Sequence, residues 1–165
     1  DLSDVKVAID ARWASLDLDN NNNKQEMGKL VLTADAGLVD AKLAYAMTGN
    51  EGGLTALDND AVTTLLGWNL ALNGKTDADY VQAVLGFDVL SNLNLSANYG
   101  NLQYITTTTT DVEEEEVYAQ LLYKMSKNLS TYVRYGTYTK DVTVSGVNTT
   151  KNDDTRGRLQ VEYTF

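Results

Sequence analysis

The last ten residues, RGRLQVEYTF, put Leu159, Val161, Tyr163 and Phe165 at every second place, with Arg158, Gln160, Glu162 and Thr164 between them. That two-residue period recurs through nearly the whole chain. Successive side chains of an extended strand leave opposite faces, so sustained alternation builds a sheet with one apolar and one polar face. The apolar rows read Val5, Val7, Ile9, Ala11, Trp13; Leu30, Leu32, Ala34, Ala36; Val39, Ala41, Leu43, Tyr45, Met47; Val81, Ala83, Leu85, Phe87, Val89; Leu93, Leu95, Ala97, Tyr99; Val117, Ala119, Leu121, Tyr123, Met125; and Leu129, Thr131, Val133, Tyr135, before the closing segment. Eight strands are expected, over residues 4–16, 28–36, 39–48, 80–89, 93–104, 116–125, 129–140 and 155–165, in a single β unit covering 1–165.

The joins between these strands differ in length. AGL, LSN and SKN are tight turns, whereas DLDNNNNKQE, residues 49–79, ITTTTTDVEEEE and DVTVSGVNTTKNDD read as long polar loops. Short turns thus fall at one end and long loops at the other, the layout of an outer-membrane barrel with periplasmic turns and extracellular loops. Aromatic placement points the same way. Strands leaving a short turn carry their aromatic late (Trp13, Tyr45, Tyr99, Tyr135), and strands approaching one carry it close to the turn (Phe87, Tyr123, Tyr163, Phe165). Two girdles at the two membrane interfaces would require this sorting. A soluble β-protein would turn its apolar face inward and would not need it.

Composition removes several function classes. The chain has no Cys, no His and no Pro, so disulfides, thiolate metal sites and histidine chemistry are excluded. A formal net charge of −10 disfavours nucleic acid as a partner. No segment approaches the roughly 18 consecutive apolar residues of a membrane helix. No pair of carboxylates stands isolated on an apolar face, where its pKa would rise for acid–base work, so the chain is not expected to be an enzyme.

The polar rows are mixed in charge. Lys6, Arg12, Lys29, Lys42, Lys124, Arg134, Arg156 and Arg158 face the same side as Asp10, Asp35, Asp40, Asp88 and Glu162. Charged groups pointing inward need water or partners, which a water-filled channel supplies. The candidate pore-lining residues are Asp10, Arg12, Lys42, Gln82, Asn98, Gln120, Arg134 and Arg158. Small inward residues (Ala8, Ala44, Gly86, Gly100, Gly136) favour a wide lumen over one plugged by salt bridges.

Residues 49–79 are expected to form one long outer loop with its own apolar cluster. A short helix capped by Asp58 or Asn59 would run through Val62, Leu65 and Leu66, and Trp68, Leu70 and Leu72 would share one side of WNLALNG. A structured loop of this length is usually functional. Folded into the lumen, it would bring Glu51, Asp58 and Asp60 to a constriction; packed on the rim, it would be a cap. Asp17, Asp19 and Asn21 have the spacing of the first ligands of a calcium loop, but Asn22 replaces its glycine and Gly28 its glutamate, so a solvated loop is the better reading over calcium, and no other cofactor is implied. The TTTTT and EEEE runs read as hydrated loop surface.

The ending DDTRGRLQVEYTF resembles the terminal strand of Gram-negative outer-membrane proteins, which closes on an aromatic residue. That resemblance implies that Leu159, Val161, Tyr163 and Phe165 are read by the barrel-assembly machinery. The RLQ ending, the turn DVLSNLNLSANYG and the succession of a short hairpin, a very long loop and further hairpins resemble the Campylobacter-type major outer membrane protein family. These are trimeric porins with about twice as many strands. The resemblance therefore implies a homotrimer and a share in a transmembrane, antiparallel, up-and-down barrel of 16–18 strands. The function expected is passive diffusion of ions and small hydrophilic solutes across an outer membrane, with weak cation preference from acidic outer loops. The alternative is a complete eight-stranded structural or adhesive barrel whose extracellular loops bind a ligand.

Overall fold

The computed structural model describes residues 5–18, 23–52 and 67–165. They form one antiparallel sheet in which every strand pairs with its neighbour in sequence: β1 (Lys6–Leu18), β2 (Asn23–Asp35), β3 (Val39–Thr48), β4 (Thr76–Leu90), β5 (Leu93–Thr107), β6 (Thr110–Lys124), β7 (Leu129–Val144) and β8 (Val147–Tyr163). The topology is up-and-down and all-β, with no helix among the described residues. The helix expected around Val62 lies outside them. The sheet is open: among the described residues no pairing joins β8 to β1, and no Cα of one comes within 8 Å of the other.

Strand number and order follow the alternation, but several boundaries do not. β2 starts at Asn23 rather than 28, β4 at Thr76 rather than 80, and β6 at Thr110 rather than 116. β5 and β7 run on to Thr107 and Val144, past 104 and 140, and β8 begins at Val147 rather than 155. The two stretches read as loops, ITTTTTDVEEEE and DVTVSGVNTTKNDD, are the upper halves of hairpins. Their threonines and valines favour extended backbone, and Val112 and Val142 face each other across β6 and β7. The strict sorting of joins by length is therefore overturned. At the end opposite the AGL, LSN and SKN turns, the β5–β6 and β7–β8 joins are two residues each, while β3–β4 alone is long, over residues 49–75.

The β7–β8 join has a physical signature of its own. Ser145 and Gly146 both carry positive φ, 51° and 80°, which is the left-handed pair that a two-residue hairpin turn demands. Gly146→Ala should lower stability by about 1 kcal/mol, because an L side chain is disfavoured there. Equilibrium unfolding in urea measures this, and an unchanged midpoint would contradict the turn assignment.

The two faces are separated as the sequence requires. In the halves of the strands nearer the short turns, the odd positions of β3–β8 and the matching positions of β1 and β2 are mostly apolar and exposed, including Ile9 (70%), Leu85 (59%) and Leu159 (71%). The buried cluster lies on the other face: Ala46, Ala78, Tyr80, Leu102, Tyr104 and Val112, covered by Leu70 and Leu72 from the long join, with Tyr138 and Val142 at its border. Its apolar side chains continue rows that are polar nearer the short turns.

Candidate functional site

The polar face is organised in rows that cross the strands in register. One row runs Asp40, Gly86, Ser96, Gln120, Arg134, Arg158; the next runs Lys42, Val84, Asn98, Tyr118, Gly136, Arg156. A third carries Asp10, Val31, Ala44, Gln82, Gly100, Glu116, Tyr138 and Asp154. Seven of the eight residues expected to line a pore thus fall in three adjacent rows; Arg12 falls in the row after them and pairs with Asp10 at 2.9 Å. Gln82 and Asn98 are buried, and Asn98 donates to Ser96 Oγ at 3.1 Å. Arg134 Nε donates to Gln120 Oε1 at 2.6 Å, with its guanidinium 4.6 Å from the Tyr132 ring and 5.5 Å from the Tyr118 ring. Arg158 stands directly opposite Arg134.

The glycines on this face make room for their neighbours. The space beside Gly86 is filled by the Asp40 carboxylate, and that beside Gly136 by the Val117 carbonyl and the Tyr118 Cα and Cβ. Gly100 accommodates Leu70, the Tyr80 hydroxyl and Glu116.

A strap of chain, residues 67–75, lies against this face. Trp68, Leu70 and Leu72 are all buried, so the alternation in WNLALNG is that of a segment packed on the sheet. Trp68 meets Tyr118 edge-on with ring centroids 5.4 Å apart, and the Arg158 guanidinium lies 5.7 Å from the Trp68 ring. At the far end Lys75 C=O accepts from Thr48 Oγ1 at 3.0 Å, and Thr48 Oγ1 in turn accepts the Ala78 N–H at 2.9 Å. Lys75 Nζ sits 3.8 Å from Glu114 and 3.8 Å above the Tyr104 ring. Partial burial there draws the Lys75 ammonium below its ordinary pKa, which Glu114 counters and Lys140 reinforces.

The EEEE run belongs to this site, contrary to its reading as hydrated loop. Continuing the phase of Val117 and Ala119 upward sends Glu113 and Glu115 to the apolar side and Glu114 and Glu116 to the polar side. Glu113 accepts from Asn101 and Gln103 at 2.8 and 3.3 Å, and Glu115 from Tyr99 at 3.1 Å. Glu114 is 6% exposed; it accepts from Tyr104 Oη at 2.7 Å and pairs with Lys140 at 3.3 Å. Glu116 accepts the Trp68 and Asn69 backbone N–H groups at 2.6 and 2.8 Å. A run of identical residues conceals alternation, which is why these two carboxylates escaped the composition-based reading.

The other expected site residues are not brought together. Glu51 is exposed in the turn closed by the Gly49–Gly52 bridge, and Asp58 and Asp60 lie outside the described residues. Asp17 is exposed, opposite Lys24 at the end of β1, while Asp19 and Asn21 also lie outside. Among the described residues no three acidic side chains gather as a metal site. Leu159, Val161, Tyr163 and Phe165 are all exposed along β8 and its end, and the last two rings stack edge to face at 5.1 Å. No family model, curated protein or solved structure matches this chain.

Proposed function

We propose that these 165 residues are part of the wall of an outer-membrane porin, a trimeric barrel of 16–18 strands that passes ions and small hydrophilic solutes by diffusion. The observation that carries this is the pattern of aromatics on the exposed apolar face. Trp13 lies in register with Met47 through Gly28, and Tyr45 stands two residues nearer the short turns. Tyr45 leads through Val81 to Asn101, and Tyr99 is again two residues nearer; Tyr99 leads through Val117 to Thr137, and Tyr135 repeats the step. The lower set behaves identically, since Phe87 leads through Leu95 to Leu121 with Tyr123 two residues on, and Tyr123 leads through Thr131 to Val161 with Tyr163 two residues on.

Two residues of stagger every two strands amount to about 6.8 Å along the strands for about 9.6 Å across them, an angle of about 35°. Membrane barrels tilt their strands by a similar angle, so both aromatic rows would lie level with the two bilayer interfaces. The apolar run from Val81 to Val89 projects to about 22 Å at that tilt, close to the apolar band of such barrels. Tyrosine hydroxyls of the upper row reach carboxylates just beyond the band, Tyr45 to Asp79 and Tyr99 to Glu115. An amphipathic ring at a lipid–water boundary is placed in this way.

The open edges and the strap favour the larger barrel over the eight-stranded alternative. A closed eight-stranded barrel has an interior just wide enough for side chains, whereas here a strap of main chain occupies the polar side. Further strands spanning from the free edge of β1 to that of β8 would close the wall around it. The polar rows would then face water, the short turns the periplasm and the long join the cell exterior, with β8 as the strand read by the assembly machinery. Acidic side chains dominate the end away from the short turns, among them Asp77, Asp79, Asp111, Glu113, Asp141, Asp153 and Asp154. They would concentrate cations at the mouth within about a Debye length. Reconstituted into planar bilayers, the protein is expected to give discrete conductance steps and, under a salt gradient, reversal potentials of modest cation preference. Absence of steps would overturn the channel, and anion preference the assigned role of the mouth.

A further inference from the structure

We propose that Glu116 is a positioning residue that latches the strap to the polar face and thereby sets the aperture beside it; the aperture role rests on the porin reading, the latch itself does not. Glu116 is 1% exposed and accepts three hydrogen bonds, all from the strap: Trp68 N–H at 2.6 Å, Asn69 N–H at 2.8 Å and Asn69 Nδ2 at 3.3 Å. Among the described residues no lysine or arginine lies within 4.0 Å of its carboxylate. A buried carboxylate without a cation must be satisfied by hydrogen-bond donors, or it costs several kcal/mol. All of those donors come from the strap, so displacing the strap would strand the charge.

The seat is shaped for this carboxylate. A Cβ at Gly67 would overlap Glu116 Oε1, so only glycine lets the main chain turn its amides onto the oxygen atoms. Gly100 stands opposite Glu116 in β5, and the room it leaves holds Leu70 and the Tyr80 hydroxyl. Tyr80 Oη is buried without a hydrogen-bond partner, so apolar packing around it does not replace the latch. The latched residue also has a functional neighbour. Trp68 lies beside Arg158, and Arg158 stands opposite Arg134 on the wall. Holding Trp68 in place covers one side of the Arg158 guanidinium. Arg158 is exposed on its other side, so releasing Trp68 would widen the passage beside a cation that already faces it.

The test uses the whole protein folded in lipid vesicles with Trp13→Phe and any tryptophan outside these 165 residues also changed to Phe, so that quenching reports Trp68. Glu116→Ala removes the latch; Gly67→Val disrupts it while leaving the carboxylate charge in place; Glu116→Gln retains one acceptor oxygen. Acrylamide quenching of Trp68 is expected to rise several-fold in the first two and by less in the third. Planar-bilayer conductance should rise in the same order, and in Gly67→Val the reversal potential should move toward anions. Quenching unchanged in all three, with heat-modifiable gel mobility showing folded barrels, would overturn the latch. Raised quenching with no conductance in wild type or variants would overturn the porin reading and the aperture role, leaving Glu116 as an anchor of the fold. If Glu116→Ala does not fold, Gly67→Val and Glu116→Gln decide the matter on the same readouts.

Discussion

Under the porin reading, Leu85→Arg and Leu121→Arg are each expected to destabilise the protein in lipid vesicles by about 2–4 kcal/mol, the cost of a guanidinium on a lipid-facing position at the bilayer midplane. Both positions are central in their apolar runs, Val81–Val89 and Val117–Met125, and both point away from the strap. Their exposures, 59% and 41%, make the outcome diagnostic. In water, a surface leucine exchanged for arginine shifts stability by no more than about 0.5 kcal/mol. Only a face that meets lipid turns the same substitution into a large loss. Urea titration of vesicle-folded protein, followed by the heat-modifiable gel shift, gives the difference. A companion Val89→Arg, at the end of its run, should cost about 1 kcal/mol or less, since the penalty falls toward the interface. Equal effects at centre and end would argue against a bilayer crossing this face.

The second large effect concerns Glu114. Glu114→Ala would leave Lys75 and Lys140 side by side without a carboxylate and the Tyr104 hydroxyl without its 2.7 Å acceptor. Breaking a fully buried ion pair costs about 3–5 kcal/mol, but the lysines here are a quarter to a third exposed, so a loss of roughly 2–3 kcal/mol is expected. Glu114→Gln keeps an acceptor for Tyr104 and should lose less. Glu113→Ala, one residue away on the opposite face, should change stability by no more than about 0.5 kcal/mol. Urea unfolding of the three variants under identical conditions checks this. A loss at Glu113 as large as at Glu114 would mean that the face assignment along the upper part of β6 is wrong.

Much of the architecture was legible in the chain because a strand's period is two. Apolar rows such as Val81 to Val89 identify a sheet, its two faces and its turns, and the aromatics at Trp13, Tyr45, Tyr99 and Tyr135 can be sorted by height before any coordinates exist. The polar face was legible for the same reason: alternation puts Gln120, Arg134 and Arg158 on the same side as Lys42 and Asn98, and the strand register sets them one row apart. The first parts of β6 and β8 and the last few residues of β5 and β7 were not legible, because threonine and glutamate runs look the same in either phase and are hydrophilic enough to read as loop. Hydrogen bonding across the hairpins settles that phase, and a two-residue turn such as Ser145–Gly146 closes it.

The strap marks the boundary between the two kinds of information. Trp68, Leu70 and Leu72 revealed by spacing that they share a side, which is a local property of extended chain. Where that side docks depends on contacts about 48 residues distant in sequence, the separation between Trp68 and Glu116. No local propensity encodes such a contact. It exists because Gly67 and Gly100 leave space, because Glu116 needs amide donors, and because neighbouring strands carry Tyr80 and Leu102 to the same place. The sequence by itself determined an alternating sheet with an apolar and a polar face; the tertiary structure decided which buried carboxylates hold a segment of main chain across that polar face.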